Sequence, residues 1–191
     1  DGDLLFQIGT KGVFDTSDGT ARGRPLNSDA ARFLTPASIY LDPQNGDVYV
    51  ADGEARGRNR RIAVMDREGR FLRQWRPEGM ENIHCMTGAR DGLVYVCNRY
   101  NSRLQVYDQR GRFIRNIEVP WRPYTPPADG VERETEGSAV SLAISRDQNQ
   151  TRMYVVNQDN ARIEIIDRQT GRILSNFGGG MGHFLGQFDQ P

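Results

Sequence analysis

The residue types best suited to chemistry are few in this sequence. His84 and His183 are its two histidines, and His84 stands directly before Cys85. An isolated histidine in a strand is most often a hydrogen-bonded core residue, and His183 falls in a glycine-rich loop. No Ser-His-Asp spacing, Walker loop or HExxH element occurs in the sequence. These residues therefore give no indication of covalent catalysis.

The two cysteines, Cys85 and Cys97, fall on neighbouring strands of a predicted hairpin centred near Asp91. Directly opposed residues on antiparallel strands are about 4.5 to 5.5 Å apart at Cα, which permits a disulfide. Two states stay open: a cross-strand bridge in an oxidising compartment, or buried free thiols, which are the ordinary state. Two cysteines are too few for a disulfide scaffold or a four-ligand structural zinc site.

The composition argues against two classes of partner. The 191 residues carry 25 basic and 25 acidic side chains, and this balance argues against nucleic acid or an anionic membrane surface. No apolar run approaches the roughly 18 residues that span a bilayer. We therefore expect a folded, soluble chain with no nucleic-acid partner and no membrane span.

A repeated pattern organises the chain. Three strand-like segments are each followed by an Asn-x-Arg-apolar step, then an aspartate, then a Gly-Arg pair. The segments are VYVAD (48–52), VYVCN (94–98) and MYVVN (153–157); the steps begin at Asn59, Asn101 and Asn160, the aspartates are Asp66, Asp108 and Asp167, and the pairs begin at Gly69, Gly111 and Gly171. We interpret the repeated Arg and Asp as structural, an ion pair within each unit that brackets its third strand.

Each repeat unit is predicted to form four short antiparallel strands, because β-branched and aromatic residues alternate with polar ones between turn signals. In the first unit these are SIYL, DVYVAD, RIAVMD and RFLRQW. With the proline-rich stretch 118–136 removed, the units recur about every 40 residues, a period typical of propeller blades. The sequence predicts an all-β fold, a β-propeller. A β-sandwich is the alternative, but it has no reason to repeat the same residues in register.

The sequence PASIYLDPQNGDVYVADG followed by NRRIAVMDREGRFLRQW resembles the NHL-repeat family of six-bladed β-propellers. Within that family it looks most like the peptidyl-α-hydroxyglycine amidating lyases and their bacterial relatives. The resemblance implies NHL-type four-stranded blades, about three of them complete, and so a partial propeller. It is specific for the fold and weak for function, because NHL propellers include enzymes, sensor domains and binding platforms.

The lyase resemblance also implies site residues. His84 matches the position of a zinc-binding histidine, and Arg99 matches an active-site arginine of that family. Zinc would polarise the hydroxyl of a carbinolamide such as a peptidyl-α-hydroxyglycine, and Arg99 would assist cleavage of its C–N bond. The sequence departs from the pattern at Glu54, where the family has its catalytic tyrosine. It also has no second histidine at a ligand position, and the next ligand would be expected directly after Pro191.

The repeat divides the chain into predicted segments of a single partial propeller. Residues 1–9 are predicted as the outer strand of a preceding blade, 34–75, 80–117 and 137–177 as blades, 118–136 as a proline-rich insertion and 178–191 as the lead-in to another blade. Six blades need about 250 residues or more. We therefore expect further chain or subunits to complete the propeller.

Long connections are predicted to gather on one face of the propeller. Residues 10–33, 53–58, 118–136 and 178–190 join second to third strands or join one blade to the next, whereas the opposite face has only tight turns. Binding sites concentrate on long loops of rigid scaffolds. Trp121 and Tyr124 in the insertion are the predicted partner-binding residues, as a lid or docking loop; a solvated loop with Trp121 tucked against its blade is the alternative.

Two functions are consistent with these patterns. The first is a non-catalytic module that binds a protein or small ligand at the loop-rich face, as part of a larger extracytoplasmic assembly, periplasmic or secreted. The second is a zinc-dependent lyase of the amidating type, with His84 as a metal ligand and Arg99 as a catalytic residue. Histidines on the inner strands of the remaining blades would favour the enzyme, and their absence would favour the binding module.

Overall fold

Short strands build this chain, and no α-helix occurs among the residues that the structure describes. The structure is a computed structural model that describes residues 2–4, 6–10, 12–13, 32–54, 59–122, 137–188 and 191. Within those ranges no helix has the length and hydropathy needed to cross a membrane.

The strands form three antiparallel sheets of four strands each. The first contains β1 (Pro36–Leu41), β2 (Val48–Asp52), β3 (Arg61–Met65) and β4 (Phe71–Trp75); the second contains β5 (Ile83–Gly88), β6 (Val94–Asn98), β7 (Arg103–Tyr107) and β8 (Phe113–Glu118); the third contains β9 (Ala139–Ile144), β10 (Arg152–Asn157), β11 (Arg162–Asp167) and β12 (Ile173–Phe177). In every sheet the spatial order follows the sequence order, as in a propeller blade. The predicted all-β fold of partial-propeller blades is confirmed.

The chain divides into two compact units, Asp1–Ile83 (unit 1) and His84–Pro191 (unit 2). In unit 1 the central strands β2 and β3 are buried almost throughout. Val50, Ala63 and Met65 form a cluster on one side of the sheet, against which Ile8 and Phe33 pack. Residues 2–4 and 6–9 have no strand conformation.

Unit 2 contains the second and third sheets, which share one hydrophobic core. Side chains on alternate positions of the central strands meet there, because successive strand residues point to opposite sides. The core members include Tyr95, Cys97, Leu104 and Val106 of the second sheet and Met153, Val155 and Ile166 of the third. The two sheets of unit 2 are therefore packed through an apolar layer.

The repeated Asp and Gly-Arg positions build the turns between third and fourth strands. In the second sheet the backbone N–H of Gly111 donates to the Asp108 carbonyl, and Gly111 has a φ of +84°, which glycine adopts without strain. The Asp108 carboxylate accepts hydrogen bonds from the backbone N–H groups of Arg112 and Arg110 and from the Arg112 guanidinium. These hydrogen bonds lower the pKa of Asp108.

The predicted ion pair bracketing the third strand is wrong in its partners. Asp66 pairs with Arg70 and Asp108 with Arg112, each four residues apart in one turn. Arg61, at the start of β3, instead pairs with Asp52 on β2, with Nε to Oδ2 at 3.1 Å. The physical reason is length, since five residues of strand separate the bracketing positions by well over 10 Å. The repeated charges remain structural.

Candidate functional site

One end of unit 2 collects most of the residues that the sequence singled out. β5 and β6 form a hairpin through the turn at Ala89–Leu93, so the start of β5, with His84, lies at the same end as Arg99. The connections at this end are residues 99–102 between β6 and β7, residues 119–122 after β8, and residues 158–161 between β10 and β11. We call this end the loop-rich face of unit 2.

His84 is held in one orientation by a backbone carbonyl. Its half-buried ring has Nδ1 2.7 Å from the carbonyl oxygen of Val140, on β9. Because a carbonyl only accepts, Nδ1 is the donor in this contact. Metal-binding histidines commonly have their second nitrogen fixed in this way. The geometry suits a metal ligand as well as a hydrogen-bonded core histidine.

The described residues do not complete a metal site around His84. Within them no group of three or more His, Cys, Asp or Glu side chains is placed to hold a metal ion. His183 is exposed in the segment after β12, and Cys85 is bonded to Cys97. This donor set does not fit a zinc centre, since three protein ligands are the usual minimum.

Cys85 and Cys97 form a disulfide between β5 and β6, with their Cα atoms 4.9 Å apart. Of the two states that the sequence left open, the structure has the bridge. Both cysteines belong to the core of unit 2. The bridge links the two strands directly beside His84 and two residues before Arg99, so it fixes the strand positions from which both side chains project.

Arg99 lies on the loop-rich face and joins two connections. Its Nη2 donates to Oε1 of Gln158 at 3.0 Å. The backbone N–H of Gln158 in turn donates to the Ser138 carbonyl at 3.1 Å. Gly137 has a φ of +100°, and a Cβ built there would overlap the Arg99 carbonyl oxygen. Only glycine therefore fits where the chain enters the third sheet against this arginine.

Trp121 is tied to the third sheet while much of its side chain stays exposed. Its indole N–H donates to Oδ2 of Asp159 at 2.9 Å, and 45% of the residue remains accessible. The same carboxylate oxygen accepts the backbone N–H of Gly137 at 2.8 Å. Arg122 and Asn160 exchange two further hydrogen bonds. Residues 120–122 are thus fixed on the β10–β11 connection.

The remaining predicted site residues lie elsewhere. Tyr124 falls outside the described residues, as does most of the 118–136 insertion. Glu54 belongs to unit 1, where its backbone N–H donates to the Thr35 carbonyl. Asp159, the acceptor that orients Trp121, is not among the residues that the sequence patterns singled out. Asp159 could have been predicted from the sequence, because an acidic residue in a connection of the loop-rich face can accept a hydrogen bond from a nearby indole.

No family model matches the sequence. Similar proteins include peptidyl-glycine alpha-amidating monooxygenase A of Xenopus laevis, 31% identical over 102 residues that cover 48% of this chain and 11% of that protein. NHL repeat-containing protein 3 of Homo sapiens is 30% identical over 115 residues, 56% of this chain and 29% of that protein. Protein brain tumor of Drosophila melanogaster is 27% identical over 77% of this chain and 13% of its own length. The chain thus spans less than a third of each of these relatives.

Solved structures show the same fold at lower identity. Hydrazine synthase of Kuenenia stuttgartiensis aligns with a TM-score of 0.56 at 17% identity, over 76% of this chain and 38% of that one. A protein of unknown function from Bacteroides caccae aligns with a TM-score of 0.54 at 14% identity, over 75% of this chain and 46% of that one. The registered repeat, the three four-stranded sheets and the similarity to NHL repeat-containing protein 3 support a relation of this chain to the NHL-repeat β-propellers.

Proposed function

We propose that this NHL-repeat propeller is an interaction module that binds a protein or small ligand through its loop-rich face. The observation that carries the proposal is Trp121, whose indole is fixed to Asp159 while 45% of the residue stays accessible. Tryptophan is enriched among the residues that dominate binding energy. A side chain already held in place loses little conformational entropy when a partner covers it.

Two further features support an extracytoplasmic assembly. The Cys85–Cys97 disulfide suits an oxidising compartment, in which such bonds persist. Ile39 and Leu41, on the first strand of the first sheet, are each 64% exposed. Large apolar side chains side by side on a sheet are usually covered. Their exposure supports completion of the propeller by further chain or subunits.

The proposal can be tested by site-specific photo-crosslinking. A photoreactive aromatic amino acid, which keeps an aromatic ring in the contact, is introduced at Trp121 and, in a separate sample, at Ile114 on the outer strand β8. The two positions are matched, because Ile114 is 42% exposed and belongs to the same unit. Each sample is irradiated in an extracytoplasmic fraction of the source organism.

We expect a discrete crosslinked species from position 121 and none from position 114. The species should be lost on addition of excess unlabelled protein, because a specific site is saturable. Equal crosslinking at both positions, or none at 121, would contradict binding at the loop-rich face.

The second candidate is a lyase of the amidating type. It is favoured by the orientation of His84 on Val140 and by the likeness to an amidating monooxygenase. Arg99, at the same end of unit 2, would assist cleavage of a peptidyl-α-hydroxyglycine. Because the described residues offer one side of a zinc centre at most, the remaining ligands would have to come from other blades.

Metal analysis of the full-length protein separates the two candidates. About one zinc per chain that disappears in His84→Ala, together with release of glyoxylate from a peptidyl-α-hydroxyglycine, would establish the lyase. Equal metal content in wild type and variant, with no glyoxylate, would leave His84 as a hydrogen-bonded structural residue.

A further inference from the structure

One side of the third sheet is covered only in part. The central strands of the first and second sheets are buried almost throughout, whereas burial alternates along β10 and β11. Met153, Val155 and Ile166 are fully buried in the core of unit 2, and the residues between them are half-buried. Because successive strand residues point to opposite sides, the third sheet has one buried side and one half-exposed side.

The half-exposed side is apolar at its centre. Directly opposed residues on neighbouring strands share a side, so its residues form two rows across the sheet. The first row is Ser141, Val156, Ile163 and Phe177, and the second row is Ala143, Tyr154, Ile165 and Ser175. Phe177 is 50% exposed although its ring contacts that of Phe188. We call these eight residues, none of them charged, the open side of the third sheet.

The matching residues of the second sheet are core residues. The core that the second and third sheets share includes Tyr95, Cys97, Leu104 and Val106, each 0% exposed. In the repeat these correspond to Tyr154, Val156, Ile163 and Ile165. A contiguous apolar patch on a protein surface usually marks an interaction site. The open side therefore has the residues of a surface that another sheet covers.

We propose that the open side binds the open side of a second copy of the chain. The two copies are related by a two-fold axis that runs along the strands, between β10 and β11, so the interface uses one surface patch twice. This axis places β10 over the partner's β11, and β9 over the partner's β12. Two sheets packed in this way keep their strands within about 30° of each other, as in a β-sandwich.

The sizes of the side chains favour this axis. It places Phe177 of one copy over the partner's Ser141, so a large side chain meets a small one in both halves of the interface. A two-fold axis across the strands would instead place Ser141 over the partner's Ala143. Two small side chains would then leave a gap, and protein interiors tolerate few gaps.

The charges beside the open side favour the same axis. Arg152 and Asp167 are directly opposed on β10 and β11, next to the second row. The axis along the strands places Arg152 of each copy over the partner's Asp167, which gives two pairs of opposite charge. Hydrogen bonds from Thr170 hold the Asp167 carboxylate in place. Exposed pairs of this kind add little affinity, but they fix the orientation of the partners.

Sedimentation velocity of the 191-residue chain tests the association. The open side is one sheet about 15 to 20 Å across, which is small for an interface, so the dimer should dissociate on dilution. We expect the mass to rise with concentration from one chain toward two. Ala143→Arg places a charge at an exposed position of the open side and should abolish the rise. Asn176→Arg, exposed on the other side of the same sheet, should associate as the wild type does.

Chemical crosslinking tests the axis. Ala143→Cys and Ser175→Cys are made as separate proteins and treated with a bismaleimide that reaches about 10 Å, the spacing of packed sheets. The two native cysteines are joined in a disulfide and do not react. We expect crosslinked dimers in a mixture of the two variants and none in either variant alone. The axis places position 143 over the partner's position 175, and separates each position from its own copy by three strand spacings, about 14 Å or more.

The outcomes separate failure of the dimer from failure of the axis. A monomer at every concentration, or unchanged association of Ala143→Arg, would overturn the proposal and leave other polypeptide as the cover of the open side. Crosslinking of either single variant, or none in the mixture, would overturn the axis. Thermal melting verifies folding; should Ala143→Arg fail to fold, Arg152→Glu takes its place, with binding weakened about threefold or more. The open side is separate from the loop-rich face, so these results do not depend on the crosslink expected at position 121.

Discussion

The carboxylate of Asp52 holds the first sheet to the segment before it. Its Oδ1 accepts the backbone N–H groups of Leu34 and Thr35, both at 2.9 Å. Its Oδ2 accepts Asn59 Nδ2 at 2.7 Å and Arg61 Nε at 3.1 Å. Both side chains of the ion pair are fully buried. We predict that Asp52→Asn strongly destabilises unit 1, although asparagine occupies the matching repeat position in the other two sheets.

The reason is the number of donors around the carboxylate. An asparagine at position 52 has one oxygen for two pairs of donors, so either orientation turns its NH2 group toward two N–H donors. It also removes the negative charge that Asp52 places beside the buried Arg61. Breaking a buried pair by removing one partner costs about 3 to 5 kcal/mol. At the matching position Asn157 is tolerated because its NH2 group donates to acceptors, the Pro120 carbonyl and Glu164.

Urea denaturation followed by tryptophan fluorescence measures this loss. The chain has two tryptophans, and a Trp121→Phe background leaves Trp75, on β4 of the same sheet, as the reporter. We expect the unfolding free energy to fall by about 3 to 5 kcal/mol. The melting temperature should fall by roughly 6 to 20 °C. Asp66→Asn, in an exposed turn, serves as the control and should change stability much less.

A double variant tests whether the unpaired charge of Arg61 causes the loss of stability. Asp52→Asn combined with Arg61→Met should be less destabilised than the sum of the single variants, because the second change removes the unpaired charge. A loss below about 1 kcal/mol in Asp52→Asn alone would refute the reasoning, since a buried charge cannot lose its counterion at so small a cost.

Three further predictions follow from other parts of the molecule. Burial, and next the negative charge of Asp42, raise the pKa of the Tyr40 hydroxyl to about 12. The tyrosine therefore ionises at lower pH in the unfolded state, and the free energy of unfolding should fall as pH rises from about 10 to 12. Thermal melting at a series of pH values, with tyrosine ionisation followed by absorbance at 295 nm, measures this. Replacing both Cys85 and Cys97 by Ser should lower the unfolding free energy by about 2 to 4 kcal/mol, measured by urea denaturation. Gly137→Ala should lower the melting temperature of unit 2 more than Gly180→Ala, because both glycines have positive φ but only the first would overlap a backbone carbonyl.

The sequence was sufficient to predict the strands, because each carries its own pattern and the repeat supplies two further copies of it. β2, β6 and β10 coincide with the segments VYVAD, VYVCN and MYVVN, with one added residue in β10. The turn positions could be predicted for the same reason, since a glycine with positive φ recurs after each third strand. Local pattern and fold agree throughout these segments.

Contacts between distant residues could not be predicted in the same way. The partner of Arg61 is Asp52 because the strands β2 and β3 pair in a register that places these two residues opposite each other. Arg168 bonds to Asp91, which is 77 residues earlier, and the matching repeat positions hold Arg67 and Gln109. The Arg168–Asp91 contact depends on how two sheets pack, and no repeat of the sequence records it.

The affinity of Trp121→Ala for the partner captured at position 121 tests the binding-module function most directly. Binding is measured by calorimetry beside wild type and the matched variant Ile114→Ala, with thermal melting as a check on folding. We predict that Trp121→Ala weakens binding about 30-fold or more, the loss typical of a central aromatic contact, while Ile114→Ala binds as wild type does. Unchanged affinity in a folded Trp121→Ala variant would contradict the assignment of the loop-rich face as the binding surface.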